Sequence, residues 1–270
     1  MLRSRSRHGN CASYPAAKSI LSEVSVAVLS HEGTYPILYS SWPLPVGSGH
    51  RTGYLARPDK AGRFPVVLVL PSLDGLSSFE KDLCRRLARN GIAAIAVDFY
   101  RGKGDGIDQY NELSDRRALT DLDEVHEFIV SDDVDWAKAG GVGLLGVDVG
   151  GRFALMGGSR RDWARSVAVA YSPLTGDEER EFRVADSLGS LPIPVLGLYG
   201  AEDDLIGAGS VDEAQRRNDH GQWLLYEDAG HGFLDIEDPN YDAAAADDAW
   251  ARILAFFKAT LPEADEVDLG

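Results

Sequence analysis

Cysteine is scarce: Cys11 and Cys84 are the only two in 270 residues. So few thiols exclude a disulfide framework and leave no cysteine spacing for a metal. Cys84 falls on an apolar helical face and is expected in the core. Basic residues are outnumbered, 27 Lys and Arg against 43 Asp and Glu, giving a formal net charge of −16. That deficit argues against nucleic acid or an anionic membrane as partner, because both are held by basic faces. No apolar run is long enough to span a bilayer. The first ten residues carry Arg3, Arg5 and Arg7 among serines but no apolar stretch of secretory type. Residues 1–20 therefore read as a disordered leader, ahead of one domain over 21–262 and an acidic, frayed tail over 263–270. The expectation is a soluble cytoplasmic protein; a small-molecule substrate, a monomer or homodimer, and neither metal nor cofactor are expected with it.

What is present is ordinary globular material, 44% apolar and 9% aromatic, in a chain long enough for one α/β core. Val24–Ser30 alternates and reads as an edge strand; residues 32–48 suggest hairpins or an extended loop; Thr52–Ala56 is a short strand. Phe64–Leu70 is a continuous apolar run, as in strands buried on both faces. Ser77 and Glu80 have capping-box spacing, and Gly91 is placed to end the helix they open. Ile92–Val97, Val142–Leu145, Ser166–Ala170, Val195–Tyr199 and Gln222–Tyr226 follow as strands. Between them, Ser114 opens a helix with the stripe Leu119, Leu122, Val125, Ile129, and Trp250, Ile253, Leu254, Phe257 mark a C-terminal helix. This alternation predicts an α/β fold with a mostly parallel central sheet and helices on both faces, and no long insertion after Ala170 supplies a large cap domain.

Gly146-Val147-Asp148-Val149-Gly150-Gly151 stands between a strand and a helix. Small residues around one polar residue at such a turn form the nucleophile-elbow pattern, in which the central residue is usually Ser or Cys. Here it is Asp148. Parallel sheets place their sites beyond the carboxyl ends of strands, and that rule selects Asp203 after Val195–Tyr199 and His231 after Gln222–Tyr226. The chain order Asp148, Asp203, His231 is that of nucleophile, acid and histidine in α/β-hydrolases. Position alone makes the backbone N–H groups of Leu73 and Val149 the expected oxyanion donors.

From about Gly53 to Leu261 the chain resembles the dienelactone hydrolase family of the α/β-hydrolase fold. The resemblance is carried by Gly53-Tyr54-Leu55-Ala56-Arg57-Pro58, Asp98-Phe99-Tyr100-Arg101-Gly102, the elbow, Tyr199-Gly200-Ala201-Glu202-Asp203 and Ala229-Gly230-His231-Gly232-Phe233. Members typically hydrolyse small lactones or esters with a Cys-His-Asp triad. The resemblance implies Asp148 at the nucleophile position, His231 as base and Asp203 as orienting acid, with Arg101 able to hold a substrate carboxylate. Arg101 is equally well read as a surface loop arginine. Ser72 stands where many members carry a glutamate, so two family positions depart together.

A carboxylate at a helix start is favoured as the anion and available as a nucleophile. Attack on an acyl carbon would give a mixed anhydride. Attack on an alkyl carbon gives a plain ester that His231 could hydrolyse through water, the chemistry of epoxide hydrolases and haloalkane dehalogenases. Epoxide opening wants O–H donors, and Tyr100, Tyr110 and Tyr171 lie in expected strand-end loops; Ser72, Tyr100, Arg101, Tyr171 and Phe233 are the candidate substrate contacts. Two other readings remain open: non-hydrolytic acid–base catalysis by Asp148 and His231, and an inactive Cys- or Ser-to-Asp form or binding protein.

Overall fold

The computed structural model describes residues 33–46, 50–100 and 106–267. The expected leader, Cys11, the expected strand Val24–Ser30 and Arg101 lie outside the described residues.

Eight strands form the main sheet: β1 (Ile37–Pro45), β2 (His50–Pro58), β3 (Gly62–Leu70), β4 (Ala93–Ala96), β5 (Ala137–Val147), β6 (Ala164–Ala170), β7 (Val195–Gly200) and β8 (Gln222–Tyr226). Their spatial order is β1-β2-β4-β3-β5-β6-β7-β8. The β1–β2 and β2–β4 pairs are antiparallel, and every neighbour from β4 to β8 is parallel. The apolar run expected to be a central strand is one: Phe64 and Val66 to Leu70 are fully buried in β3, between β4 and β5. Residues 32–48, expected as hairpin or loop, supply β1, which pairs with β2 along its whole length.

Seven helices complete the described fold: α1 (Ser78–Arg89), α2 (Gly106–Glu112), α3 (Asp115–Ile129), α4 (Val149–Arg160), α5 (Val184–Ser187), α6 (Ala208–Arg217) and α7 (Ala243–Thr260). The capping box of α1 is formed by Ser77 and Glu80, and Asn90 ends the helix just before Gly91 turns at φ +85. Leu122, Val125 and Ile129 of α3 are buried as the stripe required, while Leu119 is half-buried. Trp250, Ile253, Leu254 and Phe257 of α7 are buried with them. Cys84 is in the core. Between β6 and β7 the chain makes only α5 and a short 3₁₀ turn, so no cap domain is inserted there.

Two expectations need correction. Tyr110 lies on α2 and not in a strand-end loop. The start of the acidic tail is not frayed: Asp265 and Glu266 pair antiparallel with Arg63 and Gly62 of β3. Side chains hold it there, with Lys138 Nζ 2.6 Å from Asp265 Oδ1 and Glu266 bonded by Lys60 and Tyr35.

Candidate active site

The parallel ladder ends β5 at Val147, and the next residue turns. Asp148 has φ 48 and ψ −131, in the left-handed half of backbone space where a residue with a side chain is strained. The surrounding glycines make the turn possible sterically. A Cβ on Gly146 would overlap Gly151, and one on Gly150 would overlap the Leu70 and Pro71 carbonyls. The elbow and the end of β3 thus approach at backbone contact, which carries the loop Pro71–Gly75 up to Asp148.

The geometry around Asp148 is specific. Its Oδ2 accepts the Leu73 N–H at 3.2 Å. Its Oδ1 lies 3.5 Å from His231 Nε2. The other ring nitrogen, Nδ1, is 2.9 Å from Asp203 Oδ2. Asp203 is itself fixed, because Oδ1 accepts the Leu205 and Ile206 N–H groups, each at 2.9 Å, and the side chain is wholly shielded from solvent. The imidazole therefore bridges two carboxylates from the ends of β5 and β7. Burial opposes a charge on His231, but Asp148 and Asp203 outweigh it and raise its proton affinity above the ordinary histidine value.

The other expected residues divide. Val149 opens α4, so its N–H is among the amides that a helix leaves without an intrahelical partner. Tyr171, at φ 38 and buried, sets its ring against His231 with centroids 5.1 Å apart. Tyr100 packs on Gly75, where a Cβ would sit 3.3 Å from its Cδ2, and among the described residues its buried hydroxyl has no hydrogen-bond partner. Burial first, and then the charge of Asp148, hold the Tyr100 phenol in its protonated form. Burial, followed by Asp235, Glu80 and Asp148, does the same for Tyr171. Ser72 and Phe233 both have partners within the protein. The Ser72 hydroxyl donates to Glu80 Oε1 at 3.0 Å, and Phe233 is fully buried behind Tyr171 and against Tyr226.

Sequence reasoning missed two groups nearby. Glu80 was visible only as a helix cap. Arg152, just past the elbow, is buried and donates to both oxygens of Asp115 at 2.6 and 2.9 Å, tying α4 to α3; nothing local marks a partner 37 residues away. Among the described residues no cluster of three His, Cys, Asp or Glu side chains could hold a metal ion, and no helix is long and apolar enough to cross a membrane.

The same span of chain matches known proteins. A candidate carboxymethylenebutenolidase of Escherichia coli (strain K12) is 31% identical over 237 residues, 80% of this chain and 84% of that protein. A candidate 2-oxo-3-(5-oxofuran-2-ylidene)propanoate lactonase of Bradyrhizobium is 28% identical over 224 residues, 77% of this chain and 89% of that one. The crystal structure of a candidate dienelactone hydrolase from Klebsiella pneumoniae superposes with a TM-score of 0.76 at 28% identity, covering 83% of this chain and 99% of that one. The family model for dienelactone hydrolases matches residues 52–261, and with that span, this sheet and these relatives the chain belongs to the dienelactone hydrolase family.

Proposed function

We propose that this protein hydrolyses a small epoxide, lactone or similarly activated alkyl carbon through an ester on Asp148. The observation that carries the reading is the Leu73 N–H donating to Asp148 Oδ2 while Oδ1 faces His231. In a Ser or Cys hydrolase that N–H is kept for the oxygen of a bound carbonyl. Here the enzyme's own carboxylate takes it, so an incoming acyl group finds the donor occupied. An alkyl carbon needs no such donor. Oδ1 attacks it, the C–O bond to the leaving oxygen breaks, and a tyrosine O–H hydrogen-bonds to or protonates that oxygen. Tyr100 and Tyr171 are the candidates.

The second step uses the same groups. His231, held by Asp203, takes a proton from water, and the hydroxide adds to the Asp148 carboxyl carbon. The negative charge then forms on an oxygen already placed at Leu73, with the Val149 N–H as the second donor. On collapse the protonated His231 returns its proton to the departing aspartate oxygen, the product alcohol leaves, and the proton on the oxygen taken from water is lost to the tyrosine or to solvent, restoring the carboxylate. The oxygen that leaves with the product comes from the aspartate. Arg101 remains the candidate for a substrate carboxylate.

Incubation with styrene oxide tests this chemistry. The His231→Gln protein should gain the mass of one epoxide on the peptide containing Asp148, and His231→Gln/Asp148→Asn should gain none. One turnover of the wild type in heavy-oxygen water should give unlabelled diol and labelled Asp148. Solvent oxygen in the first-turnover product, with no adduct, would sink the covalent step. Product formed with neither an adduct nor solvent oxygen would favour a second reading, in which Asp148 and His231 serve general acid–base chemistry without hydrolysis.

A further inference from the structure

We infer that Glu80 is a positioning residue that aims the Leu73 N–H at Asp148, acting through Ser72. A capping box needs one oxygen of the N3 carboxylate, and Oε2 of Glu80 fills that role, accepting the Ser77 N–H at 2.9 Å and its hydroxyl at 2.5 Å. The second oxygen does something else. Oε1 accepts the Ser72 N–H at 3.2 Å and the Ser72 hydroxyl at 3.0 Å. Glu80 is fully buried, and a buried carboxylate is strongly destabilising wherever its oxygens lack donors. Releasing Ser72 would strip Oε1 of both its donors, while Oε2 would keep those of the cap.

The consequence falls on the next amide. The Ser72 carbonyl and the Leu73 N–H belong to one planar trans peptide unit and point in opposite directions. Gly75 N–H donates to that carbonyl at 3.1 Å, from a turn in which Gly75 adopts φ +72. With the amide, hydroxyl and carbonyl of Ser72 all anchored, the Leu73 N–H has one direction left, and Asp148 Oδ2 lies along it at 3.2 Å. Two successive amides thus serve two carboxylates, Ser72 that of Glu80 and Leu73 that of Asp148. Gly106 closes the loop from the far side, since a Cβ there would overlap the Leu73 carbonyl oxygen.

The kinetic meaning rests on the covalent reading above. If Leu73 stabilises the oxyanion formed when water adds to the ester, loosening Ser72 should slow ester hydrolysis and spare ester formation. Glu80→Gln has one acceptor oxygen for two sets of donors, so cap or loop must lose, and it risks unfolding α1. Ser72→Ala and Ser77→Ala separate the halves. In Ser72→Ala, exchange of the Leu73 amide with solvent deuterium, read by NMR without substrate, should speed up by on the order of 10-fold. Amides inside α1 should keep their protection. With styrene oxide as probe, hydrolysis of the Asp148 ester should also slow by on the order of 10-fold, so that adduct accumulates at steady state. Ser77→Ala should lower the melting temperature and leave both readings at wild-type values. A Ser72→Ala protein whose Leu73 amide stays protected, or whose ester turns over normally, overturns the inference, as does the same behaviour in Ser77→Ala. If amide exchange responds as expected but no protein forms an adduct, the covalent reading fails and the positioning of Leu73 stands.

Discussion

Replacing Asp203 by asparagine should disable the site while leaving it folded, because the surroundings dictate which way the new amide must face. Asp203 Oδ1 accepts two backbone N–H groups, from Leu205 and Ile206, and Oδ2 meets His231 Nδ1 at 2.9 Å. The asparagine side chain has one acceptor oxygen. Turning its NH₂ toward Leu205 and Ile206 would leave the buried Ile206 donor unsatisfied, at about 1–3 kcal/mol, and the half-buried Leu205 donor with it, so the oxygen stays with them and the NH₂ faces His231. Nδ1 must then accept, and the histidine proton moves to Nε2, the nitrogen that has to take a proton from water. In hydrolase triads the wrong tautomer costs about 10⁴-fold in rate, or about 5 kcal/mol of barrier. Attack by Asp148 on the substrate does not use that nitrogen. Rapid-quench mass spectrometry of Asp203→Asn with styrene oxide should therefore give ester at the normal rate and almost no diol. Asp203→Ala is the contrast, since it strips the acceptor from both N–H groups and should lower the melting temperature as well. Turnover by Asp203→Asn within about tenfold of wild type would refute the tautomer argument.

The pH dependence follows from the raised proton affinity of His231. In the free protein, where Asp148 is still a carboxylate, the His231 ring followed by NMR should titrate with a midpoint above the free-histidine value of about 6.5; a midpoint at or below it would contradict the double-carboxylate environment. For stability, a folded pKa above the unfolded one stabilises fully below the unfolded value, and that gain is lost as pH rises through the folded value. The stability advantage of wild type over His231→Gln in urea titrations should accordingly shrink toward alkaline pH. Arg152→Ala should destabilise by about 3–5 kcal/mol, the range for breaking a buried pair, because it leaves Asp115 and Asp177 facing each other across the vacated space. Arg152→Ala unfolding at the wild-type denaturant midpoint would show that the pair contributes nothing.

The fold was legible where one physical rule dominated. β3, β4, β6, β7 and the second half of β5 are apolar because both faces of these inner strands are covered, and the elbow is visible because only glycine tolerates the backbone contacts at 146 and 150. Legibility failed where stability came from a distant partner. The strand at Asp265–Glu266 has no strand-like composition; β3 and the cations Lys138 and Lys60 place it there. Glu80 could be read as a cap from its spacing to Ser77, but its second oxygen is claimed only once the loop from β3 has folded back. The bond from Ser72 to that oxygen is invisible in the sequence for the same reason.

One feature of the site belongs to no motif. Among the described residues two non-glycine positions have positive φ, Asp148 at 48 and Tyr171 at 38. They sit at the ends of the neighbouring strands β5 and β6, and each begins where its ladder stops. Asp148 N–H donates to the Ala170 carbonyl at 3.1 Å and Tyr171 N–H to that of Leu198 at 2.8 Å. Such conformations cost about 1–3 kcal/mol each and persist where the surroundings over-determine them. For Asp148 the elbow glycines are that surrounding. For Tyr171, which gains no local side-chain bond from the conformation, it is the packing of its ring between His231 and Phe233. A glycine at 171 would relieve the backbone and remove the surface against which the imidazole rests. The strain at Tyr171 is therefore tied to the orientation of His231, as the strain at Asp148 is tied to the exposure of its carboxylate, and two adjacent strand ends turn out of the sheet toward a single point.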